Sequence, residues 1–324
     1  TTFVHSVILK KELNLFGSRN AYTKDFEELI ELALSRKVDI MKMVSGIYDA
    51  VNAADAFQAL AHNDGSLTKL LIKFEKIIQF GTGNFLRGFA DQFIDELNKK
   101  DLFDGSIVIV SPTDSKNTDK INAQHGKYHL ILRGIDGGKE VYETKRIDSV
   151  SRAVNPYRDF SGFLALAKDP NLRYIISNTT ESGIAFDDSC AFSDSPASSF
   201  PGKLTQFLFE RYKNHLNGFI ILACELIDDN GKKLEEYVLR YADKWRLGKD
   251  FSEWILRENR FCNTLVDRIV TGYPKGETES IFRELGCEDA LLDTAEPYHL
   301  WVIEGDFENE LPFKAAGLNV IWSK

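Results

Sequence analysis

The chain has 324 residues, of which 43% are hydrophobic and 27% are charged. This composition is typical of a globular protein with a core, and it excludes disordered, collagen-like and coiled-coil chains. The net charge of −9 disfavours a general nucleic-acid binder, because phosphate backbones attract basic surfaces, but it leaves room for a local basic pocket that takes a small anion.

Several features favour a cytoplasmic location. No stretch approaches the roughly 20 uncharged apolar residues of a membrane span. The four cysteines, Cys190, Cys224, Cys262 and Cys287, are far apart and include no Cys-x-x-Cys pair, which fits reduced thiols better than a disulfide frame or a zinc site. Residues 1–5 lack the basic start of a signal peptide. We therefore expect a cytoplasmic protein with no metal and with neither membrane nor nucleic-acid partners; the sequence leaves the oligomeric state open.

Residues 1–74 are predicted to form a small α/β segment. Strand-like runs occupy residues 7–9 and 13–16, and a helix begins near Thr23. An apolar stripe at helical spacing follows along residues 26–34 and includes Ile30, so this face is expected to be buried.

The same segment contains a second predicted helix, a turn and a closing strand. The helix begins at Asn52 and is expected to bury its apolar residues, Ala56, Phe57, Leu60 and Ala61. The turn lies at residues 63–66 and the strand at residues 69–74. The two histidines, His5 and His62, stand alone and are expected to have surface or structural roles.

Short motifs in this segment resemble the C-terminal end of medium-chain zinc-type alcohol dehydrogenases, with the sugar-alcohol and aldonate members most similar. The motifs lie at residues 8–13, 17–20, 25–34, 55–57 and 68–74. Those enzymes hold their catalytic zinc with residues from the first half of their chain, and nothing here corresponds to that half. The resemblance thus implies that residues 1–74 form such a C-terminal segment and carry no zinc site.

From residue 75 onward the pattern predicts strands that alternate with helices. Strands are predicted at residues 76–80, 106–110, 172–177, 219–224 and 299–303. Helices are predicted at about residues 84–99, 157–167, 203–212, 232–245, 251–258 and 277–285. Residues 128–132 and 140–144 flank Asp136-Gly137-Gly138 and form a predicted β-hairpin. The fold class is therefore α/β, a doubly wound parallel sheet of Rossmann type with a β-hairpin insertion.

The strongest functional signal is the glycine pair after the first of these strands. Gly81 would supply the tight strand-to-helix turn, and Gly83 would let the backbone approach the diphosphate of a dinucleotide. The following helix would point free N–H groups and its dipole at that anion. Leu86 takes the place of the third glycine of G-x-G-x-x-G, so a loop with two turn glycines is the alternative. Arg87 would either reach the phosphates or lie along the helix surface.

The end of the second strand favours NAD over NADP. Asp114 is the only carboxylate near this end, and an acidic residue there usually holds the cofactor's ribose. No arginine lies next to Asp114 to accept a 2′-phosphate, although Lys116 is close.

Two further polar strand ends are expected at the same edge of the sheet. Asn178, Glu225 and Asn230 would contact the nicotinamide ribose or the substrate, or else serve as helix caps and turn formers. Asp267 and Arg268 are a further candidate pair, with a structural ion pair as the alternative.

Residues 77–88 resemble the NAD-binding signature of the tagaturonate reductases (altronate oxidoreductases), a branch of the mannitol dehydrogenase family. The likeness continues at residues 177–181, 224–228, 265–274, 292–296 and 317–320 and covers about residues 75–324. By this resemblance, cofactor contacts are assigned to the signature alone: Ile77, Ile78, Gln79, Phe80, Gly81, Thr82, Gly83, Asn84, Phe85, Leu86, Arg87 and Gly88.

The resemblance implies transfer of a hydride between NADH and the ketone of D-tagaturonate, which gives D-altronate, so the expected partner is a small anionic sugar acid. In this family a lysine, asparagine and histidine motif of a helical C-terminal domain handles the proton. Lys324 does not match that motif, and we expect it to begin beyond this residue, so no catalytic residue is assigned. The alternatives are a truncated or chimeric NAD-binding chain without catalysis, a polyol or mannonate dehydrogenase of the same family, and a non-catalytic NAD-sensing module.

Overall fold

The computed structural model describes residues 24, 27, 28, 30, 31, 44–49, 53–180 and 182–324. The chain divides into two compact units: residues 1–48 and 52–72 make up the first, and residues 49–51 and 73–324 the second. The predicted strands at residues 7–9 and 13–16, His5 and most of the predicted first helix lie outside the described residues.

The first unit contains strand β1 (Val44–Asp49), helix α1 (Ala53–Ala61) and the start of strand β2 (Lys69–Phe80). β1 pairs with β2. The predicted turn is present, since Asn63 Oδ1 accepts hydrogen bonds from the backbone N–H groups of Gly65 and Leu67.

The prediction that the apolar residues of this unit are buried is largely wrong. Ala56 is buried, but Phe57 and Leu60 are 69% and 41% exposed, and Ala61 is exposed too. Ile30 is helical, as predicted, yet 58% exposed. A helical stripe is buried only where another element covers it, and spacing along the sequence does not report that cover.

The second unit begins with the rest of β2 and alternates strands with helices. In chain order its further elements are α2 (Asn84–Arg87), α3 (Ala90–Lys99), β3 (Gly105–Val110), α4 (Asn117–Ala123), β4 (Tyr128–Asp136), β5 (Lys139–Ile147), β6 (Val150–Val154), α5 (Phe160–Leu166), β7 (Tyr174–Ser177), α6 (Phe200–Lys213), β8 (Ile220–Ala223), α7 (Asn230–Lys244), α8 (Lys249–Glu258), β9 (Arg260–Cys262), β10 (Thr264–Asp267), α9 (Thr278–Leu285), β11 (Asp293–Ala295), β12 (Leu300–Glu304) and β13 (Val320–Ser323).

The predicted doubly wound parallel sheet is confirmed. Its strands run in the order β6-β3-β2-β7-β8-β9, and each neighbouring pair in that order is parallel. The order reverses between β2 and β7, which makes the carboxyl ends of these strands the expected ligand crevice. The predicted hairpin is also confirmed: β4 and β5 pair antiparallel, and β11 adds to β4.

Alternate residues of the central strands point to opposite faces of the sheet and belong to two apolar layers, one on each face. Ile77 and Ile107 belong to one layer, Ile78 and Val108 to the other, and all four are fully buried. The first layer includes Trp301, whose indole is fully buried and whose ring centroid lies 5.3 Å from that of Phe89. Burial on both faces explains why these strands read as uninterrupted apolar runs.

Two predicted elements are divided differently in the structure. Residues 69–80 form one strand rather than two, with a register shift against β3 between Glu75 and Ile77. The carboxylate of Glu75 is paired with Arg152 at 2.8 and 3.0 Å, so its charge is satisfied inside the strand. The predicted helix through residues 84–99 is broken at Gly88 and Phe89. Gly88 packs so closely on Val270 that a Cβ there would lie 2.9 Å from Val270 Cγ1, a tertiary contact that no local pattern indicates.

Candidate dinucleotide-binding site

The first βα turn requires glycine at position 81. β2 ends at Phe80, and Gly81 has a φ of +140° while its N–H donates to the carbonyl oxygen of Val110 at 3.2 Å. A Cβ on Gly81 would lie 2.7 Å from the carbonyl oxygen of Asn178 and 2.9 Å from Leu86 Cδ1. Both the backbone conformation and the close approach therefore exclude a side chain here.

Gly83 has a different reason for being small. It precedes α2 with an ordinary φ of −74°, and a Cβ built on it would meet nothing within 4 Å. Open space beside backbone amides at the carboxyl edge of a parallel sheet is what the diphosphate of a dinucleotide needs, so these residues fit that group. Because α2 has only four residues, the long helix dipole expected from the sequence is not available, and the local amides would bind the anion.

Side chains from neighbouring elements hold this turn. Asn117 Nδ2 donates to Thr82 Oγ1 at 3.3 Å, and Arg87 donates to the Thr82 carbonyl at 3.4 Å and to Asn84 Oδ1 at 2.6 Å. Arg87 is only 5% exposed, so the alternative that it lies along a helix surface is wrong. Its Nη2 lies 3.9 Å from Oδ2 of the fully buried Asp293.

Asp114 follows β3 at the carboxyl edge, as predicted for a ribose-binding residue. Its side chain is 63% exposed, and Asn155 Nδ2 donates to its Oδ1 at 3.0 Å. Arg158 Nε lies 3.7 Å from the same oxygen, so the expectation that no arginine lies next to Asp114 is wrong in the folded chain, where α5 is preceded by a loop that brings Arg158 close. The second carboxylate oxygen stays available to accept hydrogen bonds from ribose hydroxyls.

A cationic cavity of about 410 Å³ adjoins the turn. Its lining includes Arg87 and two exposed lysines, Lys120 of α4 and Lys275, and it contains no carboxylate residue. Neither lysine forms an ion pair with a described residue. On a protein of net charge −9, this group of positive side chains attracts an anion.

The polar ends of β7 and β8 are mostly structural. Glu225 is 1% exposed; its carboxylate accepts from Ser177 Oγ and from the Thr179 N–H and hydroxyl, each at 3.0 Å, while burial raises its pKa. Asn230 is equally buried, and its amide donates to the carbonyls of Glu225 and Thr264. The hydrogen bonds of Glu225 and Asn230 thus favour the alternative that these two residues have structural roles. Asn178 donates to the Cys224 carbonyl and also lines an open cavity.

Asp267 and Arg268 do not form an ion pair with each other among the described residues. Arg268 is buried and donates to the carbonyls of Glu296 and Gly88 and to Gln92 Oε1. Asp267 is exposed at the end of β10. The arginine thus stabilises the break between α2 and α3.

Sequence reasoning missed a buried polar cluster directly behind the turn. Asp91 and Asp293 are both fully buried, and loss of water raises the pKa of each to about 7 despite the opposing charge of Arg87. Tyr128 contacts this cluster through its hydroxyl. Asp91 lies at an interior position of a predicted amphipathic helix, where a carboxylate is normally expected on the exposed face.

Among the described residues, no group of three or more histidine, cysteine, aspartate or glutamate side chains is placed to hold a metal ion. Nor is any helix in the described part of the chain both long enough and apolar enough to cross a bilayer.

The strand order and the glycine turn define a doubly wound, Rossmann-type domain of the dinucleotide-binding class. Residues 75–314 match the family model described as the mannitol dehydrogenase Rossmann domain, and the chain belongs to that family.

Curated relatives are similar over the same region. An altronate oxidoreductase of Yersinia enterocolitica is 48% identical over 253 residues, which are 76% of this chain and 52% of that protein. An altronate oxidoreductase of Bacillus subtilis is 47% identical over 251 residues, again 76% of this chain and 52% of the relative. The chain thus spans about half the length of the curated relatives it matches.

Two solved structures share the fold. The Pseudomonas fluorescens mannitol 2-dehydrogenase complex with NAD and D-mannitol superposes with a TM-score of 0.67 at 21% identity, covering 77% of this chain and 53% of that one. A substrate-free D-sorbitol dehydrogenase gives a TM-score of 0.65 at 22% identity, with 77% and 54% covered. At these identities the likeness establishes the fold alone.

Proposed function

We propose that this chain binds NAD through the turn at residues 81–84 and is the cofactor-binding part of an altronate oxidoreductase (tagaturonate reductase). The rest of the signature at residues 77–88 supports that turn from the core, because Ile77, Ile78, Phe80 and Leu86 are buried in the apolar layers and cannot contact the cofactor through their side chains. The observation that carries the proposal is the turn itself, where Gly81 is sterically required and Gly83 borders open space. NAD, when bound, supplies the hydride chemistry. The chain's own residues would bind and orient it: the amides near Gly83 would hold the diphosphate, and Asp114 would accept hydrogen bonds from the ribose.

The identity of 48% to altronate oxidoreductases supports the substrate class, a small anionic sugar acid. In the proposed reaction a hydride passes from NADH to the ketone carbon of D-tagaturonate and a proton from water adds to its oxygen, which gives D-altronate and NAD+. The cationic cavity beside Arg87 supports the cofactor assignment, because Lys120 and Lys275 add positive charge next to the proposed diphosphate position.

The domain organisation and the cellular location complete the proposal. Residues 75–324 would form the NAD-binding domain, and residues 1–74 a segment similar to the C-terminal end of a medium-chain alcohol dehydrogenase. The four cysteines of the chain are free thiols in the structure, which supports a location in the reducing cytoplasm.

The test measures NADH binding by the quenching and energy transfer of protein fluorescence. Wild-type chain is expected to bind NADH, and Gly83→Arg is expected to lose binding while its thermal unfolding stays unchanged, since the added side chain enters open space. Equal binding by both proteins would refute the assigned site. Oxidation of NADH on addition of D-tagaturonate tests the substrate; binding without oxidation would favour the non-catalytic alternative for this chain.

A further inference from the structure

The break between α2 and α3 leaves a backbone carbonyl that the hairpin satisfies. Arg87 is the last residue of α2, and its carbonyl oxygen accepts a hydrogen bond from the hydroxyl of Tyr128 at 2.8 Å. Tyr128 begins β4 and is 2% exposed. The insertion therefore holds the end of the short helix that carries the glycine turn.

The same hydroxyl lies close to a second acceptor. Oδ2 of Asp91 is 3.1 Å from Tyr128 Oη, yet a phenol has only one proton to donate, and the shorter bond goes to the Arg87 carbonyl. If Asp91 were ionised while Tyr128 donates to Arg87, Asp91 Oδ2 and Tyr128 Oη would face each other as two acceptors with no proton between them. A protonated Asp91 resolves this, because its O–H can donate to Tyr128 Oη while Tyr128 donates to Arg87.

The surroundings of Asp91 agree with that proton count. The side chain is completely buried, and its Oδ1 has no hydrogen-bond partner among the described residues. The groups that face it are Arg87 of α2, Tyr128 of β4, Asp293 of β11 and the neutral Gln79 of β2.

The one cation among these groups is already shared. Arg87 donates to Asn84 Oδ1 at 2.6 Å and lies 3.9 Å from the carboxylate of Asp293. Two ionised carboxyls would therefore compete for Arg87, and the charge of Arg268 helps Asp293 but not Asp91. An ionised Asp91 would thus be left without full compensation inside a dry cluster, which is strongly disfavoured.

We propose that Asp91 is held as a neutral carboxylic acid and, together with Tyr128, positions the glycine turn for the dinucleotide. The chain of donors runs from Asp91 Oδ2–H to Tyr128 Oη–H to the Arg87 carbonyl, so the proton of Asp91 holds the end of α2 in place. This inference rests on the proposed function only for its ligand. Asp91 and Tyr128 are positioning residues that do not touch the cofactor.

The experiment compares wild type, Asp91→Asn, Asp91→Ala and Tyr128→Phe between about pH 5.5 and pH 8.5. Asparagine reproduces the neutral acid, because its amide can donate to Tyr128 Oη. Two readouts are used, the Kd for NADH and the urea midpoint of unfolding. Tyr174→Phe is the matched control, since Tyr174 is a second buried tyrosine whose hydroxyl bonds to Glu310, outside the residues that contact the turn.

Wild-type affinity and urea midpoint are expected to fall as the pH rises and Asp91 ionises. In Asp91→Asn both quantities are expected to lose that part of the pH dependence. The Kd of this variant for NADH is expected to stay within about two-fold of the wild-type Kd at pH 5.5. Tyr128→Phe and Asp91→Ala are expected to raise the Kd about ten-fold at low pH, a change of about 1.4 kcal/mol, while Tyr174→Phe leaves it unchanged.

Different failures point to different errors. If Asp91→Asn binds NADH as poorly as Asp91→Ala and keeps the wild-type pH dependence of unfolding, Asp91 is ionised and the inference is wrong. If Tyr128→Phe binds as wild type does, the positioning role is wrong. A wild-type chain that binds no NADH refutes the proposed function instead, and the pH dependence of the urea midpoint then still decides the protonation state of Asp91.

Discussion

The carbonyl oxygen of Asn178 occupies the place where a side chain on Gly81 would begin. A Cβ there would lie 2.7 Å from that oxygen, and the backbone of Gly81 has a φ of +140°. Gly81→Ala is therefore expected to destabilise the fold by about 2 kcal/mol, through overpacking and backbone strain together. Urea unfolding followed by circular dichroism measures the change, and an unaltered midpoint would show that the turn relaxes freely.

Gly83 should respond in the opposite way. Because a Cβ on Gly83 meets no atom within 4 Å, Gly83→Ala is expected to keep the wild-type stability while raising the Kd for NADH about ten-fold, since the methyl group intrudes on the phosphate position. Gly276→Ala is the matched control, because it also adds a methyl group in open space. Equal affinity in Gly83→Ala and Gly276→Ala would count against diphosphate binding at this turn.

The cationic cavity predicts a salt-dependent contribution to cofactor binding. Lys120→Gln and Lys275→Gln are each expected to raise the Kd for NADH about three-fold at low ionic strength, and the difference should shrink as salt screens the charges. Isothermal titration at two salt concentrations measures this. Lys249→Gln, at the exposed start of α8, should bind like wild type. Effects of equal size at all three lysines would indicate a response to net charge alone.

Arg211 holds the loop between α5 and β7 through hydrogen bonds to backbone carbonyls and not through a carboxylate. Its side chain is 1% exposed, and burial lowers its pKa to about 10. The guanidinium donates to the carbonyl oxygens of Ala167, Asp169, Leu172 and Asn217. Arg211→Met is expected to cost about 3 kcal/mol, because it leaves these carbonyls without donors. Urea unfolding checks this against the exposed Arg257→Met, for which a loss above about 0.5 kcal/mol would be unexpected.

The burial of His299 leads us to expect that the folded protein loses stability in acid. The Asn319 N–H donates to Nε2 at 3.0 Å, so Nδ1 carries the proton and donates to the Pro297 carbonyl. Burial lowers the pKa of His299 below its ordinary value near 6.5. The unfolded chain therefore binds the proton first, and this contribution to stability is complete above about pH 6.5 and lost as the pH falls through the folded-state pKa.

Urea unfolding at about pH 7.5 and pH 5 measures this effect. The decrease in unfolding free energy between the two pH values is expected to be smaller in His299→Gln than in wild type or in the control His62→Gln, whose histidine is exposed. The same decrease in all three proteins would place the acid sensitivity elsewhere.

The sequence was most informative where one physical demand governs a whole element. Strands such as β3, with all six residues buried, have no alternative to an uninterrupted apolar run, and the hairpin glycines, Gly137 and Gly138, both have positive φ. The glycine pair of the turn is visible in the sequence because the positive φ of Gly81 and the place of Gly83 directly before α2 are local features.

What the sequence could not reveal depends on contacts between distant residues. The strands β1, β6, β9, β10, β11 and β13 were missed. Of these, β9, β10, β11 and β13 have only three or four residues, too few for a period to show. The helix break depends on the approach of Gly88 to Val270, and the charge of Asp91 depends on Tyr128 and Asp293, which come from other elements. The spacing of residues along the sequence does not indicate these tertiary contacts.

The burial of Trp301 gives the domain an internal optical reporter. Its indole is shielded from solvent, its Nε1–H has no partner among the described residues, and its ring lies beside Phe89, one residue past Gly88. An indole in so dry a setting emits at short wavelength, and its emission responds to small shifts of neighbouring rings. A rearrangement of the glycine turn that moves Phe89 would therefore change the contribution of Trp301 to the protein's own fluorescence, and a variant without the other three tryptophans would isolate that signal.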